Sequence, residues 1–223
     1  MNEKSLVVFD FDGTLSRGDT ICEVLAKTLS RLPRMKEIEQ LKTKEEIAAA
    51  REEMAPWHDH MSDADIAGSL QGVNLAPGLE DGFSRLRGYG VTIAIASITW
   101  RFAIKHFARR WGIGHYMGTN ILPTGEIEHV WAEHKAEFIH RLSSQLDIPR
   151  ERIAAVGDSP GDYDMFEAAG IPIFVGATYP PNQPGWLCLP NANILDIAEH
   201  LIEIWRLKPD NQSHGDENNL RML

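Results

Sequence analysis

Cysteine is scarce. The 223 residues hold two, Cys22 and Cys188. That number cannot staple a scaffold, so the chain must rely on a hydrophobic core, as proteins of reducing compartments do. Long apolar runs are also missing. No stretch approaches the roughly 20 residues of a membrane-crossing helix. No basic segment, apolar run and small-residue cleavage site open the chain. A cytoplasmic setting with no membrane partner is expected. Positive charge is in deficit: 22 Lys and Arg against 32 Asp and Glu leave a formal net charge of −10. That balance disfavours nucleic acid as a main partner. Internal repeats and low-complexity tracts are absent. What is present is 43% hydrophobic residues over 223, enough for one large domain or one domain plus a small insert.

Four short apolar runs read as buried parallel strands: Ser5–Phe9, Val91–Ala96, Ile153–Val156 and Pro172–Val175. Each is nearly continuous and rich in β-branched residues, as strands covered on both faces are. Helical patterns fall between them at Leu79–Arg87, Arg101–Trp111, Lys135–Leu146, Tyr163–Ala169 and Ile194–Leu207. Alternating β and α predicts an α/β fold: a three-layer α/β/α Rossmann-like core with a parallel sheet. Residues 17–76 break the rhythm with helical signals alone, at Ile21–Leu32, Lys44–Met54 and Ala64–Leu70. Ser62 with Asp65 three residues on is a cap for the last. The expected organisation is a catalytic core of 1–16 and 77–207, a small helical cap of 17–76 inserted after the first strand, and a mobile polar tail of 208–223. The alternative is that these helices extend the main core. A β-hairpin is expected around Thr124-Gly125.

Residues 7–15, Val-Val-Phe-Asp-Phe-Asp-Gly-Thr-Leu, carry the most chemistry. Asp10 and Asp12 lie i, i+2 at the end of the first strand, so they start on one face. That is where open α/β sheets bind ligands. Two carboxylates held together need a cation, a shared proton or a job that uses both. One as nucleophile and one as general acid/base is such a job, and a hard ion such as Mg2+ would neutralise them. An acidic turn after an edge strand is the bland alternative.

Three further features fall where a doubly wound sheet would put a site. Ser97 follows Ile93-Ala94-Ile95-Ala96; its hydroxyl could hold phosphate oxygens beside the N–H groups of a following helix, or simply cap that helix. Asp158 follows the third strand and Asp162 lies four residues on in a Gly/Pro loop, which adds carboxylate to the same edge. Lys135 opens a helix, where the dipole disfavours a cation. Phosphate charge would explain it; so would plain solvation. His58 and His60 flank Asp59 without a third ligand at a metal spacing, and read as a loop. Arg101, Lys105, Arg109 and Arg110 read as a solvated helix face.

Taken together and in order, these features resemble the haloacid-dehalogenase-like superfamily of phosphohydrolases over residues 6–175. Motif one is Asp10-Phe11-Asp12-Gly13-Thr14, motif two Ser97, motif three Lys135, and motif four Gly157-Asp158 through Asp162. The resemblance implies a Mg2+-dependent phosphomonoester hydrolase working through an aspartyl-phosphate on a small phosphorylated metabolite. Asp10 would be the nucleophile and Asp12 the general acid/base. Asp10, Gly13, Ser97, Ile98 and Lys135 would bind the phosphoryl group. Asp10, the Asp12 carbonyl and Asp158 would hold the metal, with Asp162 supporting it and orienting Lys135.

The insert resembles the family's type-one helical cap, and within that group the chain is most similar to the phosphoserine phosphatases. That similarity implies substrate contacts from Asp19 and Glu23, and Arg51, one turn from the position of the family's cap arginine, could substitute for it. The sequence departs from the pattern at three points. Met54 stands where a gapless count places the cap arginine that reads the substrate carboxylate. Motif two continues Ser97-Ile98-Thr99 instead of Ser-Gly-Gly. Gly161 replaces an asparagine. The same chemistry on a sugar or thiosugar phosphate is the second reading. A phosphoryl-ligand-binding protein with negligible turnover is the third.

Overall fold

The computed structural model describes residues 3–178 and 185–209. In chain order the elements are β1 (Ser5–Phe9), α1 (Ile21–Thr28), α2 (Leu32–Ile38), α3 (Lys44–Met54), α4 (Asp63–Leu70), α5 (Leu79–Gly88), β2 (Val91–Trp100), α6 (Arg101–Arg110), β3 (His115–Ile121), β4 (Ile127–Glu128), α7 (Ala132–Leu146), β5 (Ile153–Gly157), α8 (Tyr163–Ala168), β6 (Ile171–Phe174), β7 (Leu187–Cys188) and α9 (Ile194–Ile204). The strands form one sheet in the order β4-β3-β2-β1-β5-β6-β7. All neighbours run parallel except the β3–β4 pair.

The central strands are buried along their whole length because helices cover both faces. Alternate residues feed two cores. Val7, Phe9, Ile93, Ile95 and Val156 join the side packed by α5, α6 and α9. Leu6, Val8, Ala94, Ala96 and Ala155 join Phe138, Ile139, Leu142, Met165 and Phe166 of α7 and α8. From β1 the sheet grows one way through β2 and β3 and the other way through β5 and β6. This reversal of strand order opens a crevice at the C-terminal end of β1, where Asp10 lies.

The insert after β1 is all-helical. Its two connections to the core run side by side: Ser16 bridges Leu75, Arg17 N–H donates to the Asn74 carbonyl (2.7 Å), and Ala76 N–H donates to the Leu15 carbonyl (2.9 Å). Its buried residues, among them Leu25, Met35, Ile38 and Met54, run without interruption into the core of the α5/α6 face. The insert is therefore packed on the sheet end rather than suspended over it. Capping boxes start α1, α3 and α4, the last built from Ser62 and Asp65 as expected.

Three element expectations need correction. The helix expected over Ile21–Leu32 is two helices. Ser30 takes a left-handed conformation (φ 56°), and Pro33 sits in the first turn of α2, where its missing N–H costs nothing. β2 runs four residues beyond Ala96, with a bulge between Ala96 and Trp100, so Ser97 lies within the strand and α6 begins at Arg101. α7 begins at Ala132, three residues before Lys135, which therefore sits at the end of its first turn. The hairpin around Thr124-Gly125 forms as β3 and β4. The expected mobile tail of 208–223 lies outside the described residues beyond Pro209.

Candidate active site

Asp10 follows β1 and donates its backbone N–H to the Val156 carbonyl of β5 (2.8 Å), which fixes it in the crevice. Lys135 reaches it from α7. Its Nζ lies 2.7 Å from Asp10 Oδ1 and 2.7 Å from Asp162 Oδ1, and all three side chains are buried. This explains a lysine in the first turn of a helix, where the dipole alone opposes it. Burial pulls the Lys135 ammonium down. The charges and hydrogen bonds of Asp10 and Asp162 more than offset that, and its pKa is held above the ordinary lysine range. Burial pushes the Asp10 carboxyl well above the usual carboxylate range, against the pull of Lys135. Asp10 Oδ2 has no hydrogen bond to the described protein groups.

Asp162 is held from the other side. Its Oδ2 accepts from the Asp158 N–H (3.0 Å), the Ser159 N–H (3.1 Å) and the Ser159 hydroxyl (3.3 Å). A Cβ at Gly157 would stand 2.4 Å from the Asp162 carboxyl carbon, so glycine at the end of β5 lets the loop fold under itself. Asp162 thus orients Lys135 and ties the Asp158 backbone to β5.

Asp158 accepts from the Thr14 hydroxyl (3.3 Å), and burial pushes its carboxyl up to about 6. Gly13 takes φ 81°, and a Cβ there would lie 2.2 Å from Asp158 Oδ2. The glycine of motif one is required twice, for its conformation and for this approach. Arg17, which the sequence reading passed over, wraps the same turn. Its guanidinium donates to the Gly13 and Thr14 carbonyls, and to the Ala192 carbonyl at 3.3 Å.

Asp12 is placed differently. Its Oδ1 accepts the Ile21 N–H at the start of α1 (2.7 Å), which couples the second carboxylate to the first helix of the insert. Burial pushes its carboxyl up to about 7, although that hydrogen bond opposes the shift. A group near 7 can give and take a proton at neutral pH.

The carboxylate oxygens able to meet on one ion belong to Asp10, Asp158 and Asp162, which lie within 4.8 Å of one another. Two of the three fit a hard cation as direct donors: Asp10 and Asp158 offer oxygen atoms, and burial makes their charge costly without one. Asp162 is already committed to Lys135 and to three donors. The side chain of Asp12 is turned to α1 and does not join this group of carboxylates.

Asp10, Asp12, Ser97 and Lys135 all line one cavity of about 240 Å³ between the sheet end and the insert. Ser97 is buried, and its hydroxyl accepts the Thr99 N–H (3.3 Å) across the bulge of β2. The Ile98 carbonyl accepts from the Thr119 hydroxyl (2.8 Å) and from Arg51 Nη2 (3.1 Å). The β2 bulge, which the sequence did not signal, is therefore what presents motif two.

Of the expected substrate residues, Arg51 alone lines the cavity. Its guanidinium donates to the Ile98 and Val130 carbonyls, lies 3.2 Å from His129 Nδ1, and stacks 4.4 Å from the Trp131 ring centre. Burial lowers its pKa to about 10. Asp19 does not reach the cavity; it is half-exposed and ion-paired with Lys27. Glu23 does not reach it either, because it closes the α1 capping box on the Thr20 N–H (3.0 Å). The acid that the insert does bring to the cavity is Glu39, which accepts from the Thr20 hydroxyl (3.0 Å). Nothing in the local sequence marks Glu39: it comes near Asp12 only because α2 folds back on α1. His58 packs against Trp100 and Phe102 rather than joining a metal cluster among the described residues.

This order of acids, serine and lysine at the end of a parallel sheet has a family. The model of the haloacid dehalogenase-like hydrolases matches residues 7–167. The chain belongs to that family. Among its relatives, a phosphoserine phosphatase of Methanocaldococcus jannaschii is 22% identical over 208 residues, covering 89% of this chain and 98% of the relative. A phosphoserine phosphatase of Mycobacterium tuberculosis is 29% identical over 188 residues, covering 78% of this chain and 44% of the longer relative. The fold is likewise that of a solved substrate-bound phosphoserine phosphatase complex, with a TM-score of 0.73 at 19% identity over 90% of this chain and 99% of that one. Within the haloacid dehalogenase-like hydrolases the enzyme is a phosphatase.

Proposed function

We propose that this phosphatase is a Mg2+-dependent phosphomonoester hydrolase of small phosphorylated metabolites, working through an aspartyl-phosphate on Asp10. The observation that carries the reading is the pairing of a fixed and a titratable carboxylate. Lys135 holds Asp10 by one oxygen, while half-buried Asp12 is held against α1 with its pKa near 7. An Asp10 carboxylate oxygen attacks phosphorus and the ester P–O bond breaks. Asp12 gives its proton to the leaving oxygen. It then takes one from the water that attacks the aspartyl-phosphate, which restores the Asp10 carboxylate. Ser97 and Lys135 bind the phosphoryl oxygens, and backbone N–H groups around Gly13 and Ile98 add donors. Asp10, Asp158 and the Asp12 carbonyl would hold the metal, whose charge would offset that of the carboxylates and the phosphoryl group. Residues 17–76 act as the cap that shields the site from water. A cytoplasmic setting is part of the reading, since both cysteines are free thiols.

Two substrate readings follow the chemistry, and specific observations favour the one without an amino-acid carboxylate. Asp19 is turned to Lys27, Met54 holds the position counted for the cap arginine, and Arg51 is committed to backbone carbonyls. Phosphate release from phosphoserine and phosphoethanolamine, with and without Mg2+, tests both levels. Mg2+-dependent release that disappears in Asp10→Asn supports the mechanism; near-normal release in that variant would sink it. Comparable rates for the two esters support the second substrate reading. Tight binding of phosphoryl ligands with no release from any ester would support a binding protein instead.

A further inference from the structure

The cavity is divided by origin. Its floor, from the core, carries Asp10, Asp12, Ser97 and Lys135. Its walls come largely from the insert and are apolar: Met35 and Ile38 of α2, Leu41 after it, Ile47 and Met54 of α3, with Trp100 of β2 closing the side. Met35, Ile38, Met54 and Trp100 are buried, Leu41 is packed against the same core, and Ile47 is half-buried. The insert brings two charges to the lining. Arg51 donates to two carbonyls and lies against an imidazole and an indole. Glu39 is an acid, and would repel a substrate carboxylate. A ligand whose phosphoryl group reaches Asp10 must lay its organic part along these apolar side chains.

Resting on the phosphatase reading above, we infer that the enzyme takes phosphate monoesters of apolar alcohols, alkyl or aryl, without a carboxylate. Such a leaving group displaces water from the wall and gains about fourfold in affinity for each methylene buried, from roughly 0.8 kcal/mol per CH2. The carboxylate of a phosphorylated amino acid would instead lie against methionine, isoleucine and the acid Glu39.

The test uses binding as well as turnover, so that the two readings fail separately. Methyl-, ethyl-, butyl- and hexylphosphonate cannot be hydrolysed, and titration calorimetry with Mg2+ gives their Kd values. The expected result is a Kd that falls about fourfold per methylene until the wall is covered. 2-Amino-4-phosphonobutanoate should bind more weakly than butylphosphonate. A Kd that does not change with chain length, or tighter binding of the amino-acid phosphonate, overturns the inference. Leu41→Gln and Ile47→Gln change half-buried positions. They should flatten the ladder while leaving the Kd of methylphosphonate unchanged; an unchanged ladder in both overturns the inference. The hydrolysis of the corresponding alkyl phosphates is scored apart. A chain-length ladder without any phosphate release would refute the catalytic reading and leave the apolar specificity standing.

Discussion

At the scale of single residues, the site is a set of charges that make sense only together. Lys135 lies between Asp10 and Asp162, buried with both. Removing one member of a buried ion cluster leaves the rest uncompensated, which costs about 3–5 kcal/mol. Lys135→Met is therefore expected to lose stability of that order as well as activity, read by urea unfolding; a loss under 1 kcal/mol would contradict the arrangement. In the proposed mechanism Asp12 acts by titration rather than by pairing. Asp12→Asn keeps its shape and can still accept from Ile21, but it can no longer transfer a proton. A loss in kcat of about 10²–10⁴ is expected for an alkyl ester. An aryl ester with a good leaving group should lose less in the aspartyl-phosphate step, which a pre-steady-state burst resolves. These residues were legible in the sequence because they abut strand ends: the apolar runs before Asp10 and Asp158 announce the sheet, and the acids after them announce its edge. Glu39 was not legible, because its place depends on how α2 packs back on α1.

At the scale of elements, α3 makes one of the junctions between insert and core. Arg51 ties it to the Ile98 carbonyl behind motif two and to the Val130 carbonyl before α7. Arg51→Gln shortens the reach and strands the Val130 carbonyl, at a cost of about 1–3 kcal/mol if it stays buried, while the Ile98 carbonyl keeps the Thr119 hydroxyl. Limited proteolysis should then cut within residues 17–76 before the core, and hydrogen exchange in α3 should rise with α5 unchanged. Uniform exchange across both helices would argue against a junction role. The reach of β2 shows why the elements were only partly legible. The β-branched run signals a strand from Val91, but Ile98-Thr99-Trp100 carries no mark that separates a strand with a bulge from the approach to a helix that Ser97 caps. Pro33 has the same ambiguity: alone it ends a helix, yet in the first turn of α2 it starts one.

For the whole molecule, the acids collected at one sheet end set a dependence on pH and metal. Burial raises the folded-state values of Asp12, to about 7, and Asp158, to about 6, and raises that of Asp10 as well. A carboxyl with a raised folded pKa holds its proton more tightly folded than unfolded. Its contribution to stability is present below the unfolded value near 4 and is lost as pH rises through the folded value. Without divalent metal, Tm is therefore expected to fall between about pH 4 and pH 7 beyond what the rest of the chain contributes, and the fall should shrink in an Asp158→Asn variant. Mg2+ binds the ionised form, so its increment in Tm should be larger at high pH than at low pH. A Mg2+ increment independent of pH, by differential scanning fluorimetry, would contradict the assignment of Asp10 and Asp158 as its donors.

The sequence by itself determined the α/β alternation, the helical insert and the order of Asp10, Asp12, Ser97, Lys135, Asp158 and Asp162, because each is written in local periodicity or at a strand end. The tertiary structure decided which carboxylates lie close enough to share an ion, that Asp12 is held by α1, that Asp19 turns to Lys27 while Glu39 enters the cavity, and that the cavity walls are largely apolar. These outcomes depend on contacts between segments far apart in the chain, and packing and burial set them where local spacing carries no information.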